Sequence, residues 1–543
     1  MNIKRDKNVR QVEDLDERIL SLILERASLF AEVLKKRRLS GNSFSSGDLE
    51  GEMWKGWYRR IKDKRVNSRI LRNIYNHINH LSYDIAEREE EREFVLSPRR
   101  KAVSIDIAGP CDRLLTRFIL YLSAALDLSI SLKKVVLNDP LYEMLKVLNS
   151  VGASFKWEKD TVERDRGSQM EFDRHALFVG GDLLNLYLLL FYALSRPCIC
   201  KFTGEARLRT QDLRPLFDLL PQLGARIVPF IPGSYGLPVR LEATGTISDE
   251  IVIGGDAPEE MVVAFLLSAP VFSRPLYLKI HSWPSPFLLE RVLWTYEMFQ
   301  IEYERDEEGI RVCSSASPDI DSSLNLPVDV ELCSYLLAFP LLLGGKADIR
   351  GMLSGRFPDE EIFLGVLSSF GVVTQKEGGI TSQPGEQKKI PTILDVKGMD
   401  TAVPLSCGLL FSRARGKVSL ANVPASAIDE VREVCGALGI DVEKRNEMVT
   451  FRGLPLKRAK EVSLYSPCAR WSLALSLLAT SGIDIVLANP GEITAIWPSY
   501  WPLYRMLPEI RDGMEKREEM RDGGRKRRRI LVAGNKKIGE RDS

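Results

Sequence analysis

The chain has 543 residues, 44% hydrophobic and 28% charged, with 76 Lys and Arg against 74 Asp and Glu for a formal net charge of +2. That length exceeds the usual core of one domain and predicts two or three. The near balance of charge excludes bulk electrostatic recruitment of nucleic acid or a membrane surface, and the longest apolar runs, such as residues 183–194, are too short to span a bilayer.

The opening Met1-Asn-Ile-Lys-Arg-Asp-Lys7 has no apolar signal core, which predicts a cytoplasmic protein. Residues 1–93 read as an all-α domain of three helices. Leu15, Ile19, Leu22, Ile23, Leu29 and Val33 form the apolar stripe of a long first helix, with Lys35, Lys36, Arg37 and Arg38 near its C-terminal end, where the macrodipole favours cations. Residues 49–61 and 70–85 supply the second and third helices. Alternating charge over 88–92 and the breaker Ser97-Pro98-Arg99-Arg100 mark a boundary, and 94–108 reads as a linker and first strand.

From Val103 to Leu507 one unit recurs six times at a spacing of about 70 residues, the size of a small βαβ-type subdomain. Each copy opens with a short strand running into Gly or Asp and then an apolar helix, at residues 105–109, 178–181, 252–256, 327–329, 396–400 and 462–466. Gly152, Gly224, Gly371 and Gly439 each follow an apolar helix and precede a strand, the place of a left-handed cap. The eight cysteines include no CxxC pair, and Cys198 and Cys200 are expected on opposite faces of a strand, so neither a disulfide framework nor a metal cluster is expected. Units one to three occupy 109–327 and units four to six 328–510. Residues 511–543, with Arg525-Lys526-Arg527-Arg528-Arg529, read as a disordered basic tail.

Six such units, together with Phe202-Thr-Gly204-Glu-Ala-Arg207, Arg214-Pro215, Leu223-Gly224-Ala225, Arg470-Trp-Ser-Leu-Ala-Leu, Asn489-Pro490 and Trp497-Pro498-Ser-Tyr500-Trp501, resemble 5-enolpyruvylshikimate-3-phosphate (EPSP) synthase. The resemblance implies an α/β fold of two domains with three βαβαββ-like units each, the chain crossing between them near Gly109 and Pro327–Asp329. It also implies transfer of the enolpyruvyl group of phosphoenolpyruvate to the 5-hydroxyl of shikimate 3-phosphate, without metal or organic cofactor, these small anionic substrates being the partners. Arg117, Arg214 and Arg470 match the family's substrate-binding arginines, and Asp400 its catalytic aspartate facing the substrate hydroxyl. Each also has a plainer role open to it: an ion pair for Arg117 and Arg470, a helix start for Arg214-Pro215, and a helix cap for Asp400.

Other motif positions depart from the family. Its Gly-Asp-Lys-Ser reads Gly109-Pro-Cys111-Asp112-Arg113, its Asn-Ala-Gly-Thr turn Gly180-Gly181-Asp182-Leu183, and its phosphate-cradling Ser-Ser-Gln reads Pro258-Glu259-Glu260. Phe287 stands for a usual tyrosine, Val423–Ala427 for the Lys-Glu-Ser-Asp-Arg segment, and Cys468-Ala469 for the Asp-His before Arg470. Each lost ion pair to a buried phosphate costs about 1.5–3 kcal/mol, so ordinary EPSP synthesis is expected to be severely impaired. The related branch that uses a cysteine acid on a mobile loop does not fit, because Cys111 aligns elsewhere.

The head segment Leu15-Asp16-Glu-Arg18 through Arg26-Ala-Ser-Leu29 resembles the first helix of an all-helical chorismate mutase, which implies an intertwined homodimer and a site of Arg10, Arg26, Asp48, Glu52 and, in the lysine role, Arg37 or Lys35. The second-helix motif lacks its arginine at Gly51 and the third helix has Ala86 near an expected glutamine, so a dimerisation module is expected rather than a working mutase. Two readings follow: an EPSP-synthase-like enzyme acting on a related substrate, or a non-catalytic paralogue that regulates or assembles with shikimate-pathway enzymes.

Overall fold

The structure is a computed structural model that describes residues 7–39, 47–61, 67–88, 93–97, 101–167, 170–231, 234–313, 324–385, 391–414, 416–453 and 461–512. The basic run at 525–529 lies outside the described residues. Among the described residues no helix is long and apolar enough to cross a membrane.

Three helices, Lys7–Leu39, Gly47–Ile61 and Ser68–Arg88, form the head. The first packs along the third, and the third rests on the short helix Ala206–Thr210 of the α/β body. Phe30 and Ala31 are buried there, with Ala206 packed against them.

Among the described residues, the strands that follow build six small sheets. In the second unit, Ala176–Phe178 runs parallel to Cys198–Thr203, while Val239–Ala243 lies antiparallel between Cys198–Thr203 and Ala225–Pro229. A parallel pair needs a crossover, supplied by the apolar helix Leu183–Ala193, and the antiparallel pair closes the unit. The third unit, headed by Glu250–Ile253, and the fifth, headed by Ile393–Asp395, repeat this order. Gly224 and Gly439 end their helices at φ +60° and +68°, the left-handed geometry that glycine adopts without a Cβ clash.

Two expected opening strands sit elsewhere. Val103–Ala108 pairs in parallel with Gly345–Arg350, inside the fourth sheet, where Glu509–Arg511 flanks its other side. Residues 327–329 contribute an isolated bridge, Val328 to Cys111, in place of a strand. The hydrophobic pattern identifies a strand but not its neighbours, and pairing here spans more than two hundred residues. Likewise Phe94–Leu96 completes the last sheet against Asp484–Leu487. Cys198 and Cys200 are both buried while Ile199 between them is exposed, which corrects the opposite-face expectation: residues two apart on a strand share a face.

Two hydrophobic cores result. One runs from Cys111 to Leu326 and adds Phe357, and the other gathers residues 96–107, Val136 and 328–510. Between them the chain crosses twice, side by side: Asp112 N–H donates to Pro327 O at 2.9 Å and Asp329 N–H to Pro110 O at 2.8 Å. A Cβ on Gly109 would come within 2.7 Å of Val328 Cγ1, so glycine permits this approach.

Candidate active-site crevice

Apolar helices start at the crossings and at a nearby strand end, and each is capped by a carboxylate of the chain. Asp112 Oδ1 accepts from Leu115 N at 2.8 Å at the head of Arg113–Ala125. Asp182 Oδ1 accepts from Asn185 N at 2.9 Å at the head of Leu183–Ala193. Asp329 Oδ1 accepts from Leu332 N at 3.0 Å at the head of Val330–Leu343. A helix N-terminus is a ready anion site, and these three are filled from within.

The neighbouring arginines are closed in the same way. Arg113 Nε donates to Asp329 Oδ2 at 2.6 Å and Arg113 Nη2 to Glu331 Oε2 at 2.7 Å. Arg470 Nε reaches the other oxygen of Glu331 at 2.6 Å. Arg291 holds Asp112 and Asp359 together, each at 2.7 Å from Nη2, and its guanidinium lies 4.4 Å from the Phe357 ring. Arg117 pairs with Asp182 and, through Nη2, with Asn185 Oδ1 at 2.7 Å. Asp112, Arg117, Arg291, Asp329, Glu331 and Asp359 are each at most 7% exposed, so these pairs are screened little by solvent.

The electrostatics follow burial first and partners second. Desolvation raises Asp359, and Arg291 offsets only part of that. Desolvation also opposes ionisation of Glu331, but Arg470 and Arg113 together bring it below the ordinary carboxylate value. For Asp182, Arg117 likewise overcomes burial and lowers the carboxyl. Burial pushes the Cys111 thiol, which stands by a missing lysine, up to about 11, and that of Cys468 to about 11 as well. Neither thiol is an ionised group at neutral pH.

The expected site residues therefore separate into groups. Arg117, Asp182 and Glu260 belong to the first three units, where Arg117 and Asp182 act electrostatically on Glu260 and burial raises its carboxyl. Arg470 joins them indirectly, through Glu331 and Arg113 on the helix that carries Arg117. Arg214 stands apart: its side chain is 64% exposed, paired with Asp212, and opens the helix Arg214–Leu219 with Pro215 in its first turn. It lines a cavity of about 300 Å³ with Arg209, Tyr235 and, from the head, Asn67 and Ile70. Asp400 is exposed and accepts from Thr401 N at 2.7 Å just before the helix Ala402–Arg413.

Sequence reasoning missed Arg113, Arg291, Asp329, Glu331 and Asp359. A signal was present in Asp329-Val-Glu331 at the start of an otherwise largely apolar helix, and in Arg291 between the apolar Leu288-Leu289 and Val292-Leu293 pairs, since a charge on a buried face needs a partner. Glu430 was missed too. It accepts from Trp471 Nε1 at 2.9 Å and from Cys468 Sγ at 3.6 Å, on the helix that follows residues 423–427.

In the head, Arg26 Nη2 donates to Asn79 Oδ1 at 2.8 Å, and its guanidinium lies 5.2 Å from the Tyr75 ring and 5.9 Å from the Trp57 ring. Arg72 lies 4.7 Å from Trp54. Glu52 is exposed and pairs with Lys55 at 2.6 Å. Arg10, Arg37 and Asp48 fall in the helices, but their side chains lie outside the described residues.

The family model for EPSP synthase (3-phosphoshikimate 1-carboxyvinyltransferase) matches residues 98–502. A 3-phosphoshikimate 1-carboxyvinyltransferase of Marinomonas sp. is 23% identical over 429 residues, covering 76% of this chain and 98% of that relative. A second, from Halalkalibacterium halodurans, is 22% identical over 423 residues and covers 76% of this chain and 94% of its own. Among solved structures, EPSP synthase from Acinetobacter baumannii superposes with a TM-score of 0.60 at 13% identity, covering 76% of this chain and 98% of that one. The enolpyruvyl transferase NikO from Streptomyces tendae does so with a TM-score of 0.60 at 14% identity, covering 76% and 96%. The fold is thus the two-domain enolpyruvyl transferase fold, and the chain belongs to the EPSP synthase (3-phosphoshikimate 1-carboxyvinyltransferase) family.

Proposed function

We propose that the protein acts in the cytoplasm, in the shikimate route of aromatic amino acid biosynthesis, as an enolpyruvyl-transferase-type protein for an acceptor less negatively charged than shikimate 3-phosphate. Transfer from phosphoenolpyruvate to shikimate 3-phosphate itself is severely impaired. One observation carries this reading: the arginines and helix N-termini at the crevice are already closed on the chain's own carboxylates. At the crossings Asp112, Asp329, Glu331 and Asp359 formally face Arg113, Arg291 and Arg470, four negative groups against three positive. A phosphate entering there must displace a carboxylate and leave it buried without its cation, which costs several kcal/mol. Glu259 and Glu260, aligned with the phosphate cradle, add to that repulsion.

Calorimetry on the full chain tests the reading, with phosphoenolpyruvate present and shikimate or shikimate 3-phosphate titrated in. Shikimate is expected to bind, to bind more tightly than its 3-phosphate, and to lose affinity in Arg117→Ala. Tighter binding of the 3-phosphate would sink the reading.

A second reading, a non-catalytic partner that regulates or assembles with other enzymes of the route, is supported by the side-chain ties between the two cores. These are Arg291–Asp359 at 2.7 Å, Arg356–Glu297 at 2.6 Å and Asn138 Nδ2 to Ala495 O at 3.0 Å. Absence of binding by either acceptor would favour it. In both readings the head acts as a dimerisation module and not as a mutase. Leu15, Ile19, Leu22 and Leu29 are 51–62% exposed along one helix, an apolar surface suited to a second copy.

A further inference from the structure

The first end of the helix Leu183–Ala193, capped by Asp182, meets Arg117 of the crevice through Asn185. Its last turn lies about 16 Å further along the helix axis and lines a separate cavity of about 500 Å³, the size of a small-molecule site. Met170, Phe172, Tyr192 and Ala193 are its buried floor, with the two rings 5.2 Å apart. Glu171 and Arg196 are exposed at its mouth, so it is open to solvent. The wall is held by the backbone: Glu171 N–H donates to Val151 O at 2.9 Å, Arg174 N–H to Ile199 O at 2.7 Å, and Ser195 N–H to Tyr192 O at 3.0 Å.

Some polar groups of this cavity are already committed. Asp173 Oδ1 accepts from Ile199 N at 2.9 Å and its other oxygen lies 3.5 Å from Arg174 Nε. Cys198 Sγ donates to Ala193 O at 3.2 Å, and Arg196 is engaged by a contact of its own. Among the described residues, the Glu171 carboxylate and the Ser195 and Tyr192 hydroxyls have no hydrogen-bond or ion-pair partner. Tyr192 is the telling one: it is only 6% exposed, yet its hydroxyl still reaches solvent, and native interiors leave few such groups unused. Burial raises that hydroxyl above its ordinary value, against the pull of Arg196 and Arg164, so at neutral pH it is uncharged and able to accept.

An anion here would meet Glu171, Asp173 and the negative end of the helix macrodipole. A protonated amine is the complement. Its three N–H donors match the three open acceptors, the helix C-terminus favours its charge, the Phe172 and Tyr192 rings offer it their faces, and the floor receives its carbon body. We infer that this cavity is a second binding site, distinct from the crevice, for a small organic ammonium compound with an apolar or aromatic body. The inference stands apart from both readings of the crevice.

The test is calorimetry on the full chain with three probes of similar body and different charge: phenethylamine, phenethyl alcohol and phenylpropionate. The amine is expected to bind at least about tenfold more tightly than the alcohol, the combined scale of an exposed ion pair, a cation–π contact and a hydrogen bond, with the carboxylate weakest. Glu171→Gln should lower amine affinity about fivefold and change that of the alcohol less than about twofold. Tyr192→Phe, which keeps the ring and its packing, should lower amine affinity about threefold. Urea midpoints close to the parent's establish that the variants are folded. Equal binding of amine and alcohol, tightest binding by the carboxylate, or no binding of the amine overturns the inference. Amine binding unchanged in both variants would place it elsewhere on the protein and overturns the inference as well.

Discussion

The crevice and the head both carry arginines where anion-binding sites are expected, and they hold them in different ways. In the crevice, Arg113, Arg291 and Arg470 end on Asp112, Asp329, Glu331 and Asp359, side chains of the same chain. In the head, Arg26 and Arg72 lie against Tyr75, with Trp57 beside the first and Trp54 beside the second. A carboxylate fixes a guanidinium through charge-assisted hydrogen bonds, whereas an aromatic face steadies it through the ring's quadrupole. The difference teaches that retained arginines do not by themselves preserve an anion site. What matters is what else the fold has brought to them.

The contrast is broken most forcibly at Arg291. Arg291→Ala leaves Asp112 and Asp359 buried without their cation and is expected to destabilise the body by about 3–5 kcal/mol in urea unfolding. A loss below about 1 kcal/mol would mean that the crossing network is not what joins the cores. On the head side, Leu22→Asp places a charge on a side chain that is 62% exposed in one copy. On the proposed dimerisation through the head, it should weaken self-association at least about tenfold in sedimentation equilibrium, with the urea midpoint of the body unchanged; a monomeric parent or an unaltered dimer would contradict that proposal.

A smaller effect sharpens the electrostatic half of the contrast. Glu143 accepts from Gly181 N at 3.2 Å, and burial together with nearby Glu205 raises its carboxyl from 4.5 to about 7. Between those values the unfolded chain has released the proton that the folded chain keeps. Stability is therefore favoured below pH 4.5, declines as pH rises across the window and has lost this contribution above about 7. Glu143→Gln should raise the melting temperature at pH 8 by the equivalent of up to about 1 kcal/mol and have little effect at pH 4.5. The opposite pH order would contradict the assignment. The smallest change is expected at Arg214, an exposed pair with Asp212: Arg214→Ala should alter stability by less than about 0.5 kcal/mol.

The repeat was readable because each copy combines two strong local signals, a β-branched strand before an apolar helix and a glycine cap such as Gly224 or Gly439. Those are properties of neighbouring residues. Strand partnership is not, which is why the local pattern places Val103–Ala108 in the first unit although it pairs with Gly345–Arg350 in the fourth. The same limit governs the site. Replacement of a family lysine by Cys111 or Asp112 is visible in one dimension, but its meaning depends on Arg291, 179 residues away, which turns Asp112 into half of a buried pair. Arg214 shows the reverse case, a matched motif residue whose side chain lies beside the head rather than with Arg117.

Phosphate release from phosphoenolpyruvate in the presence of shikimate 3-phosphate, measured continuously on the full chain, tests the self-neutralised crevice most directly. Release no faster than without the acceptor is the predicted result. Sustained acceptor-dependent turnover would show that the buried carboxylates yield their arginines to substrate, and would contradict the account.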